Sequence, residues 1–241
     1  MTIIDGECMD MKKELYRQKN PVVNDAFDRL AVNIHLKKQQ EGLKTFLFCG
    51  CEPGVGTTTI AIDLAISMST AGWKTLLVDG DMRKTSDYKH LNNNADVGLY
   101  EYLDKKIDET LIYYDTNYDN LTFVPNGQCK GGQVNYLCSE KMQKLVKTWK
   151  EEYDYVIIDV PACASAVDGS ILAGQVDGVV MVASLNYSSR KGIHQAKTAL
   201  EKAGANILGI VANRVSRKEY KKHVSNYDYF TKKKYQSVEP R

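Results

Sequence analysis

No apolar run in the 241-residue chain approaches the ~20 residues needed to cross a bilayer, "GVVMVA" at 178–183 being typical of the longest. That excludes a helical membrane span. The first residues, "MTIIDGECMDMKKELYRQ", lack a basic stretch followed by an apolar one, so no secretory signal is read there and a cytoplasmic protein is expected. The six cysteines, at 8, 49, 51, 129, 138 and 163, include no CxxC pair and no regular spacing. A disulfide framework is excluded by that pattern, and Cys49-Gly50-Cys51 without a second Cys or His cluster supplies at most half of a tetrahedral metal site. Reduced, mostly buried thiols are the expectation.

Charge is short in one direction only locally. The formal net charge is +2, yet from Arg214 onward there are nine Lys or Arg against three Asp or Glu, so a basic tail follows a mildly acidic body. Such a tail can meet an anionic surface, an acidic partner or solvent alone.

What the chain has is alternation. Five short apolar runs end near turn residues: "TFLFCG" (45–50), "TLLVDGD" (75–81), "YVIIDVP" (155–161), "GVVMVA" (178–183) and "ILGIVAN" (207–213). Unbroken apolar runs mark strands covered on both faces. Helical patterns lie between them. Ile60, Leu64 and Met68 are spaced by four, and Met142, Leu145, Val146 and Trp149 share one side. Ser189 and Gly204 punctuate a helix with Ile193, Ala196 and Leu200 on one face. Pro21 opens a further helix with a stripe of Val23, Phe27, Leu30 and Ile34. The reading is α/β, a single doubly wound, mostly parallel sheet. Residues 1–18 are expected to be a flexible segment, 19–215 the domain, and 216–241 a flexible basic tail, with "HLNNNADVG" a further loose stretch.

Ligands in such a sheet bind beyond the carboxyl ends of the strands, where three runs carry chemistry. In "GCEPGVGTTT", Gly50, Gly54 and Gly56 let the backbone around Val55 turn and aim N–H groups at an anion, with the helix starting near Thr59 adding its positive end. Thr58 stands where a phosphate loop keeps its Mg²⁺-binding hydroxyl, and Thr57 where it keeps its lysine. In "LLVDGDMRK", Asp79 and Asp81 share one face if the strand runs through both, and Arg83 and Lys84 follow. One acid could take a hydroxyl proton while the other holds Mg²⁺ or a water. In "VIIDVP", Asp159 ends an apolar strand, a costly place for a carboxylate without a partner.

In this order the three stretches resemble the Walker A, Walker A′ and Walker B set of the bacterial tyrosine kinases of capsule and exopolysaccharide assembly. The resemblance extends over "NDAFDRLAVNI", "RKTSDYKHLNNNADVGLYEYL", "LTFVPNG", "SAVDGSILAGQVDGVVMV", "LGIVANRV" and a tyrosine-bearing tail. It implies a P-loop NTPase-type fold, ATP and Mg²⁺ as cofactors, and a membrane-bound polysaccharide co-polymerase-type adaptor at the inner face of the membrane. It implies Asp79 as base, Asp81 and Asp159 with Thr58 as the Mg²⁺ set, and Asn213 by the adenine; Arg83, Lys84 or a lysine of a neighbouring subunit is a candidate to meet the γ-phosphate in place of the missing loop lysine. Tyr220, Tyr227, Tyr229 and Tyr235 would be the phosphoacceptors. Two departures stand out. Thr57 replaces the Walker lysine, and the family's ring-forming Glu-x-x-Arg-x-x-Arg reads Asp25, Asp28, Ala31 here. Three functions stay open: a weakened autokinase, a nucleotide-holding pseudokinase scaffold for an adaptor or paralogous kinase, and a partitioning-type ATPase. Nucleic acid is not expected as a partner.

Overall fold

The computed structural model describes residues 12–17, 19–83, 97–105 and 107–223. The strands are β1 (Lys12–Lys13), β2 (Thr45–Gly50), β3 (Thr75–Asp79), β4 (Tyr114–Thr116), β5 (Leu121–Val124), β6 (Tyr155–Val160), β7 (Gly178–Ser184) and β8 (Ile207–Asn213). They form one sheet in the order β1-β4-β5-β3-β6-β2-β7-β8, parallel except where β4 meets β5. The helices are α1 (Pro21–Glu41), α2 (Thr57–Thr70), α3 (Leu99–Asp104), α4 (Gln133–Leu137), α5 (Glu140–Glu152), α6 (Asp168–Ala173), α7 (Arg190–Lys202) and α8 (Arg217–His223). All five expected strands are present, in a doubly wound α/β fold.

Both faces of the central strands are covered, which is why their sequences carry no polar alternation. Phe46 and Phe48 of β2 join Ile157 of β6 and the apolar side of α1 and α2 in one core layer. Leu47 and Cys49 point the other way, into a layer with Ile158, Trp149, Leu172 and Leu200. The helix ends follow their local chemistry. Asn20 caps α1 by accepting from Val22 N–H at 3.0 Å, with Pro21 in the first turn, and Gly42 closes it in the left-handed region at φ 72°. Ser139 and Ser189 cap α5 and α7 in the same way.

Residues 12–17, at the start of the chain, pack on the sheet. Lys12 and Lys13 pair with Asp115 and Thr116, and Leu15 is wholly buried, its backbone held by both ends of the Asn117 amide. Arg17 reaches α1 and α2, donating to Asp28 at 2.8 Å and to Ser67 at 2.9 Å. The ring-motif positions are therefore engaged inside the chain: Asp28 with Arg17, Asp25 with Arg29 at 2.6 Å, and Ala31 buried against the core. In the basic tail, α8 covers residues 217–223, while Tyr227, Tyr229 and Tyr235 lie outside the described residues, as do Lys84 and most of "HLNNNADVG".

At the amino ends of β3 and β6, far from the strand ends that carry the glycine loop, three rings from different elements meet. His35 of α1 stacks on Trp73 with centroids 4.4 Å apart and planes 4° from parallel, and its Nδ1 is 2.5 Å from the Tyr155 hydroxyl.

Candidate active site

The sheet order places β2 between β6 and β7, so the loop leaving β2 opens beside the carboxyl ends of β6 and, one strand further, β3. This is the switch point of the fold. Gly54 and Gly56 adopt φ 74° and 91°, a region where side chains are strained. Gly50 is needed for another reason: a Cβ there would lie 2.8 Å from the Thr57 hydroxyl and 2.9 Å from a Val55 methyl. A side chain at 50 would press on Thr57, Val55 and the Glu52 carbonyl, so the glycine lets the loop fold back closely over the start of α2.

Thr58, in the first turn of α2, donates its hydroxyl to Asp159 Oδ2 at 2.5 Å. Asp159, the penultimate residue of β6, is 3% exposed, so this contact lies at a dry strand end where a carboxylate needs partners. Asp79 lines the same small cavity as Thr58 and Asp159, with Phe123 behind it. The structure thus brings Thr58, Asp79 and Asp159 together.

Asp81 is placed differently from the expectation of a shared strand face. β3 ends at Asp79: Gly80 makes the last ladder bond, donating to the Asp159 carbonyl at 2.8 Å, and approaches it so closely that a Cβ would sit 2.9 Å from that oxygen. The chain then turns, and the Asp79 carboxylate accepts from Asp81 N–H at 3.0 Å, a side-chain-closed turn in place of an extended strand. Asn126, two residues past the end of β5, holds this turn by donating to the Asp81 carbonyl at 2.8 Å.

Arg83 is already engaged. Its Nε and Nη2 donate to the two oxygens of Asp168 at 2.6 and 2.9 Å, and Asp168, in the first turn of α6, is fully buried. That bidentate pair ties the Walker A′ turn to α6. Neither Asp168 nor Asn126 could be singled out from sequence, since each acts on a residue some 45 to 85 positions away.

The other side of the loop is fastened by β8. Asn213 donates to the Val55 carbonyl at 2.8 Å, and Arg214 donates to the Gly54 carbonyl at 2.8 Å. Beneath the loop, Glu52 accepts from the Ser189 hydroxyl at 3.0 Å and its N–H at 3.3 Å, so a loop carboxylate sits on the start of α7. The thiols below stay neutral. The hydrogen bond with Cys163, and then burial, push Cys49 far up, while burial pushes Cys51 up to about 11. No thiolate opposes an anion in the loop.

A cleft of about 360 Å³ opens beside Asn213, walled by Val23 and Phe27 of α1, Ile60 of α2, and Arg214 and Tyr220. Among the described residues no group of three or more His, Cys, Asp or Glu is placed to hold a metal ion by itself. The donors present suit a magnesium ion shared with phosphates. Thr58 and Asp159 offer hard oxygens beside the glycine loop, and Mg²⁺ favours one or two protein oxygens completed by phosphate and water. No helix among the described residues is long and apolar enough to cross a membrane.

Comparison with known proteins gives the family and the fold. A family model described as an AAA domain matches residues 44–208. The tyrosine-protein kinase CpsD of Streptococcus pneumoniae serotype 4 is 30% identical over 190 residues, 78% of this chain and 83% of that protein. The crystal structure of the chimerical protein CapA2B2 superposes with a TM-score of 0.77 at 25% identity, covering 85% of this chain and 93% of that one. The kinase domain of the Escherichia coli tyrosine kinase ETK has the same fold, with a TM-score of 0.78 at 23% identity over 83% of this chain and 79% of that one. The chain belongs to the AAA-domain family and, within it, to the bacterial tyrosine kinases.

Proposed function

We propose that the protein binds Mg²⁺-ATP in the glycine loop and transfers its terminal phosphoryl group, slowly, to tyrosines of its own basic tail, in the service of capsule or exopolysaccharide assembly. The observation that carries this reading is the meeting of Thr58, Asp159 and Asp79 at one rim beside the loop amides. Relatives named tyrosine-protein kinase CpsD and putative tyrosine-protein kinase CapB support the kinase part of it.

Each residue has a role in that reading. The amides of Gly54 to Thr59 cradle the phosphates, and the 360 Å³ cleft beside Asn213 suits the adenine and ribose. Thr58 and Asp159 would hold Mg²⁺, which when bound draws charge from the phosphates; Asp81 would orient its waters. Asp79 would accept the proton of the incoming tyrosine hydroxyl. Arg83 acts here as a positioning residue, because Asp168 engages its guanidinium. Tyr220 stands on the wall of the cleft, and the other three tail tyrosines follow it in sequence. A membrane-bound adaptor of the polysaccharide co-polymerase type would bring the protein to the inner face of the membrane.

Thr57 favours a second reading, a pseudokinase that holds nucleotide as a scaffold, because one missing transition-state contact of this kind commonly costs about 3 to 4 kcal/mol. Purified protein with ATP and Mg²⁺, probed for phosphotyrosine, separates the two. Signal that disappears in Asp79→Asn supports the kinase. Thermal stabilisation by ATP with no phosphotyrosine at any time supports the scaffold, and no response to ATP removes both.

A further inference from the structure

The loop has lost its lysine, and Arg83 is held by a buried carboxylate. Another cation touches the loop. Arg214 follows the last residue of β8 and adopts φ 54°, a left-handed conformation that costs an ordinary side chain about 1 to 2 kcal/mol. Its N–H is satisfied by the Asn213 side-chain oxygen at 2.7 Å, which stabilises the turn. The turn sends the guanidinium back to the Gly54 carbonyl while Asn213 takes the next carbonyl, Val55. Two consecutive residues thus grip two consecutive peptides of the loop. Backbone strain of this sort, in a residue that is otherwise exposed, points to a role beyond packing.

We propose that Arg214 supplies the positive charge that Thr57 does not carry, by moving from the Gly54 carbonyl to the terminal phosphate of a bound nucleoside triphosphate. This rests on the nucleotide-binding reading above. A neutral carbonyl is the weaker acceptor. A phosphate offers a guanidinium charge-assisted, bidentate bonds, and arginine is the side chain best shaped for them. The guanidinium is exposed and already 2.8 Å from the loop backbone, so no buried contact holds it back from the exchange. The cation would then reach the phosphates from the β8 side of the loop, in place of the first helical residue.

The test is the affinity for Mg²⁺-ATP and Mg²⁺-ADP, measured by titration calorimetry on the full chain, for the wild type, Arg214→Gln, Arg214→Lys and Arg214→Gln with Thr57→Lys. Losing one charged phosphate contact should weaken ATP about 10- to 100-fold in Arg214→Gln, while ADP changes by less than about threefold. Arg214→Lys should keep part of the preference for ATP, and Thr57→Lys should restore it in the Arg214→Gln background. An equal loss for ATP and ADP would mean that Arg214 only fastens the loop, and an unchanged ATP affinity would mean that it does neither; both overturn the inference and leave nucleotide binding standing. A wild type that binds neither nucleotide overturns the nucleotide reading itself, and the inference with it.

Discussion

Placing an ammonium at position 57 should tell how much of the reaction this chain has given up. Thr57 is the first residue of α2, at the position where a phosphate loop keeps its lysine, and Thr57→Lys returns that charge to the start of the helix. A unit charge about 4 Å from a phosphate oxygen, at an effective dielectric of about 20, is worth about 4 kcal/mol. Placing a cation at the positive end of a helix takes back about 0.3 to 1 kcal/mol. A net gain of about 3 kcal/mol corresponds to roughly 10² in rate. If Arg214 already answers part of that charge, two cations share one phosphate and the gain in the wild-type background shrinks to about tenfold, while the full factor appears with Arg214→Gln. The assay is the initial rate of tail phosphotyrosine formation at saturating Mg²⁺-ATP. An unchanged rate in both backgrounds, with nucleotide bound, would refute the electrostatic account and move the defect to the transfer geometry.

Other consequences are equally measurable. Gly80→Ala forces a Cβ to within 2.9 Å of the Asp159 carbonyl, so it should cost about 1 to 3 kcal/mol in a urea melt and weaken Mg²⁺-ATP binding, because both metal-side acids move. Glu52→Ala releases the phosphate loop from the start of α7 and should lower stability by about 1 kcal/mol, with faster hydrogen exchange in residues 52–56 as the specific sign. Asp177 is held below the ordinary carboxylate range: burial opposes this, but Lys150 and the backbone N–H groups of Lys44 and Thr45 outweigh it. A depressed folded value means that its contribution is present above the unfolded value of 3.8 and fades as pH falls through the folded one. Asp177→Asn should therefore be less stable than wild type at pH 6, and the two melting temperatures should converge only once the pH has fallen below the lowered folded value, itself under 3.8.

The strands that carry the site were legible because burial on both faces leaves a plain signature. Every residue of "TFLFCG" and of "YVIIDV" is buried. The flanking strands were not legible, for the same reason inverted. "YDT" of β4 alternates buried and exposed over three residues, too few to separate from a turn, and β1 is two residues fixed by Asn117 from elsewhere in the chain. In the site, the glycines and acids announced themselves at strand ends. The residues that hold them did not, because the links from Asp168 to Arg83, Asn126 to Asp81 and Arg214 to Gly54 join distant positions and leave no periodicity. The strand end at Asp79 was likewise hidden: nothing local shows that Gly80 must lie against the Asp159 carbonyl.

The stacked ring of Trp73 has a practical use. The chain holds two tryptophans, and Trp149 is sealed in α5 while Trp73 lies flat on the imidazole of α1. Lifting α1 away would strip Trp73 of that stacked ring, so its emission should change while the nucleotide rim stays silent. The fold carries its own optical gauge for the seating of its first helix, readable in a Trp149→Phe background without any label.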